Sequence, residues 1–116
     1  MANNEILLNI YPWMIQVLGL KGCDLLIFAI IFRHTKNGES WYIKNLSEYS
    51  EMLGYNRATI CISLRNLTKK GLIIKEAQTW QEDENQRTKY KINIDKVEVF
   101  MVDYNDYKDT ELIYFI

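Results

Sequence analysis

Residues 45–73 read NLSEYSEMLGYNRATICISLRNLTKKGLI, and two helix signatures follow each other within them. Asn45 can cap a first helix whose third residue is Glu48, an approximation to the capping box in which Asn replaces Ser or Thr. The apolar residues of this segment fall at i, i+3, i+6 and i+7 on one face, and Gly54 supplies the left-handed residue that ends a helix. The pattern predicts a helix of about two turns between Asn45 and Gly54.

A second helix signature follows directly and ends at a second glycine. Asn56 can cap this helix, and its apolar positions repeat at i, i+4 and i+7, namely Ile60, Leu64 and Leu67. The helix stops at Gly71. Lys69 and Lys70 occupy the last turn, where cations interact favourably with the helix dipole; this role, together with solubility, suits them at least as well as binding of an anion such as phosphate.

Two β-prone runs come after the second helix. Residues 72–80 and 88–94 flank the polar segment 81–87, so they predict a hairpin with a tip of roughly seven residues. A further short strand is predicted at residues 41–43, between a loop at 36–40 and the first signature helix. Together these segments predict a small antiparallel sheet.

The N-terminal third is strongly apolar. Residues 5–10 predict a strand or an extended lead-in, and Pro12 suits the first turn of a brief helix over 12–18. Residues 23–35 fit a buried strand or a buried helix by periodicity alone, and their length favours a helix. Because almost no polar face remains, this helix is expected at the centre of the domain or in a dimer contact.

With its short helix, glycine turn, capped second helix, Lys-Lys-Gly-Leu-Ile and hairpin, the chain resembles the winged helix-turn-helix family. The resemblance rests on the run from Leu46 to Ile60, continued by Leu64, Leu67 and residues 69–73, and it covers about half of the chain. It implies an α+β winged helix with three or more helices and a small antiparallel β-sheet. Residues 1–96 would form this domain, and 97–116 a C-terminal tail that packs on it or on a dimer partner.

The N-terminal residues 12–15 (PWMI) and 18–22 (LGLKG), followed by an apolar helix, are similar to small phage-type or low-GC Gram-positive helix-turn-helix proteins. Some of these belong to replisome-organiser or replication-initiation proteins, in which such a domain precedes another one. This chain is therefore expected either to have a different role or to be a fragment.

The resemblance implies that the second helix lies in the major groove of DNA and that its N-terminal half meets base edges. Arg57 and Arg65 would contact bases or phosphates, Thr59 a phosphate or base, and Ala58 or Ile62 a thymine methyl group. Cations outside this segment would contact phosphates, which position the protein without specifying sequence. The implied DNA-binding residues are Lys44, Asn56, Arg57, Ala58, Thr59, Cys61, Ile62, Arg65, Lys69, Arg87 and Lys89.

Two features depart from this pattern. Cys61 and Ile62 are apolar where a DNA-reading surface is expected to be polar, so they suit a protein partner instead. The tip of the hairpin contains Glu82, Asp83 and Glu84, which a phosphate backbone would repel. The wing would then meet DNA through Arg87 and Lys89 on its strand. The alternatives are a winged-helix protein-interaction module without DNA binding and, third, a DNA mimic or inhibitor.

The distribution of charge is more informative than the net charge of −1. Residues 41–75 contain six basic and two acidic residues, about +4, whereas residues 76–116 contain five basic and ten acidic residues, about −5. The basic segment coincides with the two signature helices. A chain of 116 residues with 48% hydrophobic residues is expected to form one globular domain.

Several function classes are disfavoured by composition. The longest apolar run, residues 25–32, is far shorter than the roughly 20 residues of a membrane span, so no membrane association is expected. Cys23 and Cys61 stand alone, which favours a reducing cytoplasm and gives no metal site. His34 is the single histidine and lacks catalytic companions, so neither an enzyme nor a cofactor is expected. The aromatic residues suit core packing better than base stacking: Trp13, Trp41, Tyr42, Tyr49 and Trp80.

The sequence thus predicts sequence-specific binding of duplex DNA in bacterial or phage transcription regulation or replication initiation. A homodimer is expected, since two copies double the phosphate contacts and match a palindromic site.

Overall fold

The computed structural model describes residues 7–35, 38–76, 87–98 and 112–115, with side chains from residue 9 to residue 98 of these ranges. The described part of the chain has an α+β architecture with five helical segments and a three-stranded antiparallel sheet. Its elements in chain order are β1 (Leu7–Ile10), α1 (Pro12–Gln16), α2 (Gly22–Thr35), β2 (Tyr42–Lys44), α3 (Leu46–Leu53), α4 (Arg57–Lys69), β3 (Ile73–Lys75), β4 (Thr88–Ile92), α5 (94–98) and β5 (Leu112–Phe115).

The main sheet has the strand order β2-β4-β3, with both pairings antiparallel. Tyr42 is opposite Tyr90, and Ile73 is opposite Ile92, and all four side chains are buried on the inner face of the sheet. The two remaining strands, β1 and β5, form a separate antiparallel pair. The last strand that the structure describes therefore lies against the first one.

Helix α2 lies at the centre of the fold, because every residue from Ile27 to Phe32 is at most 1% exposed. It contacts α4, β1, β2 and β4. The expected helix over 23–35 is confirmed, with one additional residue at its start. A helix that is apolar around most of its circumference is stable only when it is covered on most sides, and here the covering elements belong to the same chain.

Aromatic rings pack beside α2. The Trp13 ring meets Phe28 and Phe32 edge-on at centroid distances of 6.1 and 5.6 Å, and Tyr11 meets Phe32 in the same way at 5.8 Å. Trp13 and Tyr49 are completely buried, so they are core residues as expected. Trp80 lies outside the described residues.

The end of β4 corrects the sequence analysis. The strand predicted to reach residue 94 stops at Ile92, and residues 94–98 are helical. Asn93 causes the break, because its side chain donates a hydrogen bond to the Gly71 carbonyl at 2.9 Å and accepts one from the Lys96 amide at 3.4 Å. An Asn that accepts from a backbone amide three residues ahead is a helix N-cap.

Smaller corrections concern the ends of other elements. Helix α1 ends at Gln16 rather than residue 18, and β2 spans 42–44 rather than 41–43. Strand β3 is three residues long within the run predicted to extend over 72–80. Residues 77–80 and most of the expected hairpin tip, residues 81–86, lie outside the described residues.

Candidate nucleic-acid interface

Helix α3 begins with a complete capping box. The Asn45 side chain accepts a hydrogen bond from the Glu48 amide at 2.8 Å, and the Glu48 carboxylate accepts one from the Asn45 amide at 2.9 Å. Gly54 ends the helix in the left-handed conformation, with φ of +80°. The first helix signature is therefore confirmed at both ends, since both depend on contacts within a few residues along the chain.

The turn from α3 to α4 is held by two side chains. Ser50 donates from its hydroxyl to the Tyr55 carbonyl at 2.6 Å, and the Asn56 side chain accepts from the Thr59 amide at 2.8 Å. Asn56 is the predicted N-cap, and α4 begins at Arg57. These bonds constrain the connection between the two helices.

The other end of α4 is closed by Gly71, whose φ is +77°. The Leu72 amide donates to the Leu67 carbonyl at 3.1 Å, a six-residue closure typical of the Schellman motif. Helix α4 itself ends at Lys69 with Lys70 as its C-cap, which confirms the predicted stop at Gly71. The Asn93 side chain then ties the Gly71 carbonyl to the end of β4.

Helix α4 has two opposite faces. The inner face is buried, and its members are Ile60, Ser63, Leu64 and Leu67. At about 100° of rotation per residue, the direction opposite this face is taken by four exposed residues, called here the outer face of α4: Ala58, Ile62, Arg65 and Lys69. The predicted core positions are confirmed, and the outer face contains four of the predicted site residues.

Ser63 is a buried polar residue that the sequence analysis did not single out. It lies on the inner face of α4 and hydrogen-bonds with the thiol of Cys23 on α2. Burial raises the pKa of the Cys23 thiol, although the Ser63 contact partly opposes this rise. A buried thiol with a raised pKa is a poor nucleophile at neutral pH, which agrees with a structural role for Cys23.

The two arginines of α4 occupy different positions. Arg57 lies toward α3, where its guanidinium contacts the Ser47 hydroxyl at 3.5 Å. Arg65 lies on the outer face, and its guanidinium is 3.8 Å from the sulfur of Cys61. In the part of the chain that the structure describes, no ion pair is found for Arg65. Arg65 is therefore the better placed of the two for an external anion or base edge.

The flanks of α4 hold the other predicted residues. Thr59 and Cys61 are half-buried, on opposite sides of the outer face, and Asn56 is exposed at the N-terminus of α4. Two shallow depressions meet at Asn56 and Arg57. One is lined by Asn45, Ser47, Glu48, Ser50, Glu51, Asn56 and Arg57, and the other by Leu46, Asn56, Arg57, Ala58 and Cys61. Helices α3 and α4 thus form one continuous surface.

The predicted cations on and beside the sheet have partners within the chain. Arg87 donates to the Glu48 carboxylate at 3.0 Å, and Lys89 lies 3.4 Å from the Glu76 carboxylate. Lys44 is 5.7 Å from the centre of the Tyr42 ring. Ion pairs as exposed as these contribute about 0–1 kcal/mol, so another anion can replace the carboxylate at little cost.

His34 stacks on the Tyr42 ring at 4.7 Å. Its pKa is lowered by partial burial and by the positive charges of Arg33 and Lys44. Among the described residues, no three His, Cys, Asp or Glu side chains are placed to hold a metal ion. The helices in these same ranges are too short or too polar to cross a membrane.

Comparisons with protein-family models, with curated proteins and with solved structures return no match.

Proposed function

We propose that this chain is a winged-helix domain that binds duplex DNA in a sequence-specific manner, with α4 in the major groove and the β3–β4 hairpin as the wing. The observation that carries the proposal is the division of α4 into a fully buried inner face and an exposed outer face that contains Arg65 and Lys69. The chain order of α2, β2, α3, α4, β3 and β4 agrees with the resemblance to winged helices.

The dimensions of α4 suit this role. Its 13 residues span about 20 Å, and the major groove, about 12 Å wide, admits an α-helix. The inner face packs on α2, so the core itself holds the outer face in one orientation. Arg65 is long enough to donate two hydrogen bonds to a guanine edge, the commonest specific contact in this groove.

Phosphate contacts would come from cations around α4. Lys69 extends the outer face, Lys44 and Lys89 lie on β2 and β4, and Arg87 directly precedes β4. The intrachain partners of Arg87 and Lys89 are exposed carboxylates, and a phosphate can take their place. A homodimer that acts on a palindromic site in transcription regulation or replication initiation would double these contacts.

A second candidate function is a protein-interaction module. It is favoured by Ile62, which is 54% exposed at the middle of α4, and by the pairing of Arg87 and Lys89 with carboxylates. A protein partner would bury Ile62 and would not require Arg65.

The proposal is tested by fluorescence anisotropy with a pool of duplexes of random sequence, titrated with salt, for the parent chain, Arg65→Ala and Arg33→Ala. Arg33 is the matched control because it is an exposed arginine on α2, beside Asn9 and Tyr11, and is not one of the predicted DNA contacts. A site selected from the pool then gives specific affinities for all three proteins.

We expect binding that weakens steeply with salt, because phosphate contacts release counterions. If Arg65 reads a base, Arg65→Ala should weaken specific binding by about 1–3 kcal/mol, or about 5- to 150-fold, and Arg33→Ala should have little effect. Absence of binding at low salt would overturn the DNA proposal. Equal effects of the two substitutions would overturn the placement of α4 in the groove.

A further inference from the structure

The outer face of α4 contains two exposed apolar residues beside its arginine. Ala58 and Ile62 are four residues apart and both exposed, and Arg65 follows three residues later. Ile62 has the largest exposed fraction, 54%, among the large hydrophobic residues that the structure describes. It is therefore an isoleucine placed where the fold itself does not use its apolar surface.

Stability gives no reason for isoleucine at this position. In an exposed helix position, a β-branched residue is less favourable than alanine, because its χ1 rotation is restricted by the preceding turn. The same restriction is useful in recognition. A stiff side chain presents its methyl groups in one direction and loses little rotational entropy when a partner covers it.

The major groove offers one apolar group for such a side chain. Only thymine, through its C5-methyl group, presents a methyl to this groove, whereas guanine presents the two acceptors that suit arginine. Along the helix axis, Ala58 and Ile62 are about 6 Å apart and Ile62 and Arg65 about 4.5 Å apart. The three side chains are therefore close enough to meet neighbouring base pairs, which are about 3.4 Å apart.

We propose that Ile62, assisted by Ala58, reads thymine methyl groups in the duplex site, next to a guanine contacted by Arg65. This inference rests on the proposed DNA binding and adds to it the class of target sequence. The apolar residues on α4 are then part of base recognition, and the arginine beside them favours a nucleic acid over an apolar protein surface as the occupant.

The test uses the site selected from the random pool, with each thymine replaced in turn by deoxyuridine, which lacks only the methyl group. Affinities of the parent chain, Ile62→Ala and Arg65→Ala are measured for the thymine and deoxyuridine duplexes. One buried methyl is worth about four-fold in affinity, from about 0.8 kcal/mol per buried carbon group. We expect at least one deoxyuridine to weaken the parent by about this factor.

At the same position, Ile62→Ala should bind the thymine and deoxyuridine duplexes equally, because the contact is already lost. Arg65→Ala is the matched control and should remain sensitive to the methyl group, since it keeps Ile62. This pattern would show coupling between one side chain and one methyl, which a general loss of affinity does not produce.

Other outcomes separate the two proposals. If the parent binds all deoxyuridine duplexes as well as the thymine duplex, thymine reading is overturned while DNA binding stands. If deoxyuridine weakens the parent and Ile62→Ala equally, the methyl is read by another residue and the assignment to Ile62 is wrong. If no duplex is bound at low salt, the proposed function fails and the thymine inference fails with it.

Discussion

Replacing Ile60 and Ile62 separately by alanine compares two identical residues on opposite faces of α4. Ile60 is 0% exposed and Ile62 is 54% exposed. Because the change is Ile→Ala on one helix in both cases, the intrinsic helix propensities largely cancel between the two variants. The difference in stability therefore reports the difference in burial.

The expected loss in the free energy of unfolding follows from how deeply each isoleucine is buried. Truncation of a fully buried isoleucine to alanine removes about 2–5 kcal/mol from the free energy of unfolding, since it loses hydrophobic contact and leaves a cavity. Truncation of the exposed Ile62 should change this free energy by no more than about 0.5 kcal/mol. The full stability of a domain is about 5–15 kcal/mol, so Ile60→Ala removes a large share of it.

Urea denaturation followed by tryptophan fluorescence, to which the buried Trp13 contributes, measures both values, with circular dichroism as a second probe. Ile60→Val, with an expected loss of about 0.5–1.5 kcal/mol, keeps the comparison measurable if Ile60→Ala does not fold. Equal losses for Ile60→Ala and Ile62→Ala, or a larger loss for Ile62→Ala, would refute the assignment of the inner and outer faces.

Two further predictions concern the buried side chains of Thr35 on α2 and Tyr42 on β2. Thr35→Val should lower the free energy of unfolding by about 1–3 kcal/mol, measured by urea denaturation, because the Thr35 hydroxyl accepts from the Ile92 amide at 3.0 Å and donates to the Ile31 carbonyl at 2.7 Å; retention of parental stability would contradict this role. Burial and the nearby Glu48 charge raise the pKa of Tyr42 to about 12. The neutral Tyr42 phenol therefore contributes fully to stability below the ordinary tyrosine pKa of about 10, and this contribution is lost as the pH rises toward 12, by about 1.4 kcal/mol per pH unit. Urea denaturation between pH 9 and 12 should show this decline for the parent and a shallower one for Tyr42→Phe, and identical slopes would count against it.

The proposed interface depends on a rigid support. Helix α4 is fixed by its inner face on α2, by its N-cap at Asn56 and by the closure at Gly71, which the Asn93 side chain joins to the end of β4. A groove-binding helix needs its base-reading side chains held in one register, and these three attachments serve that purpose. The side chains of the outer face provide none of these three attachments, so we expect that they can be substituted without loss of the fold.

The sequence alone was sufficient to predict the elements that local contacts determine. The capping box of α3, the left-handed Gly54, the Asn56 cap and the stop at Gly71 all depend on hydrogen bonds between residues three to five positions apart. The inner face of α4 followed from periodicity, because a helix places residues i, i+4 and i+7 on one side whatever lies beyond it.

Only the tertiary structure decided the contacts between residues that are distant along the chain. Arg87 and Glu48 are 39 positions apart, and their ion pair alters the electrostatics of a predicted phosphate contact. Asn93 ends β4 because it meets Gly71, 22 positions earlier, and the buried Ser63 hydrogen-bonds with Cys23 on another helix. Local propensity carries no information about such partners, since packing brings them together only when the whole chain has folded. The sequence therefore determined where the helices of the candidate interface begin and end and which face of α4 is buried, and tertiary packing determined which of the predicted cations are paired within the chain.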